Sequence, residues 1–111
     1  MSEIDFTVFR ELQAGAGAEF VAELLDTFFE EAPTLLAELR AAQAQADASR
    51  FRRAAHSIKS NSLTFGATAL AEQARALELG GLPAERAPAL LDALDAAYAQ
   101  AAQALRELRD G

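Results

Sequence analysis

The stretch FVAELLDTFFEEAPTLLAEL, residues 20–39, decides the fold class. Its apolar residues Phe20, Val21, Leu24, Leu25, Phe28, Ala32, Leu35 and Leu39 recur at intervals of three and four. That is the period of one helix face, not the alternation of a strand. Pro33 lacks an N–H and its ring clashes with the carbonyl of Phe29, which ordinarily ends a helix. Here the stripe keeps its phase across Pro33, so the spacing predicts one kinked helix from about Ala18 to about Gln45.

The segments on either side follow the same rule. Upstream, Asp5 is an N-cap for a short helix over Phe6–Gln13, which Gly15 and Gly17 break. Downstream, Asp47 caps a third helix that reaches Phe65, where Gly66 allows a turn. A fourth covers Ala67 to Leu79 with Leu70, Ala74 and Leu77 inward, and Gly80 or Gly81 closes it. The last runs from about Pro83 to Arg109 with Leu90, Leu91, Leu94, Tyr98, Ala101, Leu105 and Leu108 on one side. Pro88 suits the first turn of a helix, which moves its start toward Ala87. Ala and Leu dominate the chain, Trp is absent, and 51% of residues are hydrophobic. Helix formers of this kind, joined by short loops, predict an all-α protein: an antiparallel up-down four-helix bundle with a short additional N-terminal helix. At 111 residues the chain is expected to be a single domain, its core bundle spanning about 18–109.

Composition excludes several kinds of function. With no cysteine there is no disulfide, thiolate metal site or cysteine nucleophile. A net charge of −7 argues against nucleic acid, which is held by surplus Lys and Arg. The acidic start MSEIDFTVFRELQ is unlike a signal peptide, and no apolar run approaches the ~18 residues of a membrane span. A soluble, cytoplasmic protein is expected, and nothing in the stripes demands a dimer, so a monomer is the default. One histidine cannot supply an ordinary transition-metal site. There is no local serine–histidine–acid arrangement, no Gly-rich phosphate loop and nothing like an ATP site.

Charge is unevenly placed. Residues 48–77 hold Arg50, Arg52, Arg53, Lys59 and Arg75 against Glu72 alone, while the flanking segments are acidic. This is either a solvated surface or a local field for an anionic ligand or acidic partner. The only histidine lies within it. At about 100° per residue, Phe51, Ala54, Ala55, Ser62 and Phe65 fall within about 60° of Ile58 and form the inward stripe. His56 points about 160° away from Ile58, so the phase sets it on the surface, flanked by Arg52, Lys59, Ser60 and Leu63. Lys59 shares its face at i+3, Ser60 is too small to cover the ring, and Leu63 is an apolar residue facing outward. An idle surface histidine is one reading. A nucleophilic imidazole beside an ammonium, on a docking surface for a phosphorylated partner, is the other.

The run AAHSIKSNSLTFGA, residues 54–67, resembles the signature of histidine phosphotransfer (HPt) domains: a histidine, a lysine three residues on, small residues after it, and a glycine ten residues past the histidine. It is similar in particular to the phosphate-accepting domain of the chemotaxis histidine kinase. The run LLDTFFEEAPTLLAELRAA also resembles the family's first long helix, mid-helix proline included, and the resemblance covers roughly residues 20–109. It implies that His56 accepts a phosphoryl group and that Lys59 offsets its charge. It implies that Glu78 contacts the other ring nitrogen; without the resemblance, Glu78 is simply an exposed acid in a last helical turn. Arg75 either reaches the same surface or is solvated. Arg52, Arg53, Ser60, Leu63 and Arg75 are the candidate partner contacts. Ser60 stands where many members have glycine, and Asn61 and Ser62 are candidates for bonds across the helix pair. The implied partners are receiver domains of response regulators or hybrid histidine kinases. The carrier would need no cofactor of its own, since Mg²⁺ in such systems resides with the receiver. Two alternatives stay open: a phosphate-accepting domain of a larger histidine kinase, and a receiver-binding adaptor without phosphotransfer.

Overall fold

The computed structural model describes residues 4–82 and 87–110, and within them it is helical with no strand. The helices are α1 (Phe6–Ala16), α2 (Ala18–Ala44), α3 (Ala48–Thr64), α4 (Thr68–Gly80) and α5 (Ala87–Asp110). Asp5 caps α1, its carboxylate accepting from the backbone N–H groups of Thr7 and Val8. Asp47 caps α3 by accepting from Arg50 N at 3.1 Å. α2 continues unbroken through Pro33, which lies on its exposed side. The lost N–H is therefore on the side where water can serve the freed carbonyl. The last helix starts at Ala87, as Pro88 suggested; the earlier start at Pro83 lies outside the described residues.

α2 and α3 both end in the same hydrogen-bonded device. After α2, Ala46 N donates to Gln43 O and Asp47 N to Ala42 O. After α3, Gly66 N donates to Leu63 O and Ala67 N to Ser62 O. These paired bonds form a Schellman motif, which requires a left-handed residue at its centre. Gly66 supplies it at φ 76°, whereas Ala46 adopts φ 55° with a side chain. Gly66 does more than turn the chain. Its carbonyl accepts from Asp5 N at 2.7 Å, seating the start of α1 on the α3–α4 turn. A Cβ there would lie 2.7 Å from Asp5 O and 3.1 Å from Val8 Cβ.

Around the core, α2 packs on α3 and α5, and α4 packs on α3 and α5, while α1 lies against α2 and α3. Phe28 anchors the centre, with Phe65 at 5.4 Å and Tyr98 at 5.8 Å between ring centroids. Such tilted aromatic contacts add to the area they bury. Arg40 of α2 reaches Asp92 (2.8 Å) and Asp95 (2.5 Å) of α5, and Arg109 of α5 reaches Asp26 of α2 (2.6 Å). These exposed pairs contribute little energy each but mark the register of the two helices.

The inward stripe expected for the third helix is buried throughout. Two residues assigned inward are not. Phe20 is 51% exposed and Leu90 41% exposed. Phe20 lies about 80° around the helix from Phe28, at the edge of the stripe. Leu90 keeps the phase of its stripe but sits in the first turn of α5, where a helix end is covered on fewer sides. Conversely, Ala42, Ala71, Ala97 and Ala102 are buried although they were not assigned to the inward stripes. Ser62 bonds back to Ile58 O within its own helix at 2.6 Å, not across the pair.

The two Schellman centres give opposite expectations. Gly66→Ala combines left-handed strain with a backbone collision and should cost more than about 2 kcal/mol. Ala46→Gly relieves strain, less the added freedom of the unfolded chain, and should gain about 0.5 kcal/mol. Denaturant unfolding of both variants checks the pair; equal effects would contradict it.

Candidate phosphoryl-acceptor site

His56 stands on the outer face of α3, its side chain 57% exposed. The helix phase that buries Phe51, Ala55, Ile58 and Ser62 puts it there. The Gly66 turn returns α4 alongside α3, and this brings Glu78 opposite His56. His56 Nδ1 lies 2.6 Å from Glu78 Oε2, and Lys59 Nζ lies 2.7 Å from Glu78 Oε1. One carboxylate thus bridges the imidazole and the ammonium. Both Glu78 and Lys59 are largely covered, at 21% and 23% side-chain exposure.

The bridge fixes the ring's chemistry. The Lys59 ammonium, with a smaller share from His56, holds the Glu78 carboxyl below its ordinary range against the opposing effect of partial burial. An ionised carboxylate only accepts, so the bonded Nδ1 must carry the ring proton. In the neutral ring, Nε2 then keeps its lone pair. The hydroxyl of Ser60, one turn on, lies 3.5 Å from Nε2. That is long for a hydrogen bond, so it leaves the lone pair available.

On the other side of His56, α2 and α3 frame an open groove of about 490 Å³ lined by Glu30, Glu31, Thr34, Ser57, Ser60 and Asn61 among others. No spacing or motif pointed to Glu30, Glu31 or Thr34, because nothing local to α2 encodes its register against α3. The remaining candidates scatter. Leu63 is 51% exposed on the His56 face. Arg52 turns toward the end of α4, its guanidinium lying within 3.6 Å of where a Gly81 Cβ would be. Arg53 lines a separate groove with Glu38 and Arg50, whose side chains pair across α2 and α3. Arg75 is exposed on α4 and takes no part in the Glu78 bridge. The two adjacent arginines therefore serve different surfaces. Among the described residues, no group of three or more His, Cys, Asp or Glu side chains is placed to hold a metal ion. Nor is any helix among them long and apolar enough to cross a membrane.

A family model for the Hpt domain matches residues 23–108. The chain belongs to the Hpt domain family. This Hpt chain is also similar to the crystal structure of histidine-containing phosphotransfer protein B (HptB) from Pseudomonas aeruginosa PAO1. The two share 32% identity over 97% of this chain and 95% of that one, with a TM-score of 0.88. A comparison with curated proteins gives no match.

Because the folded-state pKa of Glu78 is depressed, the bridge contributes stability above the ordinary carboxylate range. That contribution is lost only as pH falls through the depressed value. In its neutral form the His56 ring should be held as the Nδ1–H tautomer by the ionised Glu78 carboxylate, and Glu78→Ala should release it to a mixture. Long-range ¹⁵N–¹H correlation spectra of the ring near pH 8 decide this; an unchanged tautomer would remove Glu78 from the role.

Proposed function

We propose that this Hpt protein is a phosphoryl carrier of a two-component phosphorelay, with His56 as its acceptor. The observation that carries the reading is the exposed imidazole whose Nδ1 is bonded to Glu78 while Nε2 stays open. Nε2 attacks the phosphorus of a receiver's aspartyl phosphate. The N–P bond forms as the P–O bond to the aspartate breaks, and the electron pair leaves with the carboxylate. The ring becomes a phosphorylated imidazolium, and Glu78 offsets its positive charge through the proton kept on Nδ1. Lys59, one turn from His56, is shared between Glu78 and the arriving phosphoryl oxygens, to which it offers a charge-assisted hydrogen bond. Transfer onward is the reverse attack by a second receiver's aspartate.

The carrier works without an ATP site or cofactor of its own, and Mg²⁺ belongs to the receiver. Its partners are receiver domains of response regulators or hybrid kinases, met on the face bearing Ser60 and Leu63, with Arg52, Arg53 and Arg75 at its margins. The arrangement that supports this is a single domain, an antiparallel up-down bundle of α2–α5 with α1 added. Pairing of Arg109 with Asp26 and of Arg40 with Asp92 links opposite ends of α2 and α5, as antiparallel packing requires. A cytoplasmic monomer completes the reading.

Radiolabelled, phosphorylated receivers mixed with the protein should pass label to it, and His56→Gln should abolish the transfer without altering the fold, since the side chain is outward. Lys59→Ala should slow transfer or shorten the life of the phosphorylated form by roughly tenfold, the loss of one charge-assisted bond. Label only from an ATP-loaded kinase domain would favour a kinase substrate. Label from neither source would leave an adaptor.

A further inference from the structure

Three hydroxyl side chains follow one another at alternate positions in the second half of α3, and they are used differently. Ser62 Oγ donates to Ile58 O at 2.6 Å and Thr64 Oγ1 to Ser60 O at 3.1 Å. Both are spent on the helix backbone four residues back, the usual fate of Ser and Thr in a helix. Ser60 has the same backbone option, yet its hydroxyl faces His56 Nε2 instead. Helical side chains lean toward the N-terminus, so a residue at i+4 projects over the one before it. The separation of 3.5 Å is too long to hold the ring, and it sets the hydroxyl beside Nε2, within reach of an oxygen on a group bonded to that nitrogen.

We propose that Ser60 is a phosphoryl-binding residue: its hydroxyl donates a hydrogen bond to an oxygen of the phosphoryl group carried on Nε2. This rests on the reading of His56 as the acceptor and extends it. The two sides of the ring then have different donors. Lys59 and Glu78 stand on the α4 side, where Lys59 brings charge. Ser60 stands on the groove side, whose wall across from it holds the carboxylates of Glu30 and Glu31. Those acids repel a phosphoryl anion, and the hydroxyl supplies the uncharged donor that keeps its oxygens oriented there. A second ammonium in that place would hold the group more tightly than a carrier needs. A bare small residue would leave the groove-side oxygen to water.

Phosphoramidate is a small-molecule donor whose phosphorus Nε2 can attack: the new N–P bond forms as the donor's own P–N bond breaks and ammonia leaves. The protein treated in this way is titrated by ³¹P NMR, alongside Ser60→Ala, Ser60→Gly and Ser60→Thr, with His56→Gln as the control. A donor that favours the dianion lowers the phosphoryl group's own pKa. Ser60→Ala and Ser60→Gly should therefore raise it by roughly half a unit to one unit, and Ser60→Thr should restore it. Thermal unfolding of the unmodified variants separates this from a change of fold, because helix stability does not set a phosphoryl pKa. Coincident titrations of wild type, Ser60→Ala and Ser60→Gly would overturn the proposal and leave Ser60 as merely small. Failure to form phosphohistidine on Nε2 of the wild type would overturn the acceptor reading itself, and this one with it.

Discussion

A glycine at the end of α3 sets the geometry on which the site depends. The Schellman closure at Gly66 stops α3 and directs α4 back along it, and only that reversal brings residue 78 to residue 56. The same glycine carbonyl receives Asp5 N, so α1 is anchored at the turn as well. Phe65, next to it, inserts its ring against Phe28. Turn, N-terminal helix and aromatic centre are therefore fixed together at two adjacent residues, Phe65 and Gly66. Changing the turn would shift the register of α4 on α3, and with it the distance between a carboxylate and an imidazole.

From that register follows the division of α3 into two faces with separate tasks. The inward face is a packing surface of Phe51, Ala54, Ala55, Ile58 and Ser62, and it needs no polar partner beyond the one Ser62 finds in its own helix. The outward face presents His56, Lys59, Ser60 and Leu63 without contributing to the core. Because the faces are angularly opposed, the chemistry on one can be altered without a cavity in the other. This is why loss of the imidazole and loss of the fold are separable events in this protein.

Much of this was legible in the sequence. Helix number, the capping residues Asp5 and Asp47, the survival of α2 through Pro33 and the outward phase of His56 are all local, set by period, side-chain chemistry or backbone conformation. The exceptions have physical causes. Phe20 lies at the angular edge of its stripe, and Leu90 sits in a first helical turn, where period describes angle but not how far the neighbouring helices extend. Ala42, Ala71, Ala97 and Ala102 were passed over because alanine occurs on every face of these Ala-rich helices, so its position alone does not mark the buried side. The docking of Asp5 on Gly66, the groove acids Glu30 and Glu31, and the split between Arg52 and Arg53 depend on how helices register against one another. No spacing within a single helix carries that information. Glu78 is intermediate: its distance from His56 along the chain has meaning only if the α3–α4 turn is as tight as Gly66 makes it.

The electrostatics of the cluster also suit a carrier more than a trap. Before modification, one carboxylate and one ammonium around a neutral ring sum to no net charge. A phosphoryl group brings between about one and a half and two negative charges, while the ring it modifies gains one positive charge. The modified cluster therefore departs from neutrality by at most about one charge at an exposed position, where water screens it. Lys59 and Glu78 achieve this together, since the carboxylate balances the ring while the ammonium faces the phosphoryl oxygens. A site with several cations would hold the group too firmly to release it, and one with none would repel it on arrival. The bridge on α4 sits between those limits. It uses a single acid to set the tautomer before transfer and to balance the ring after it.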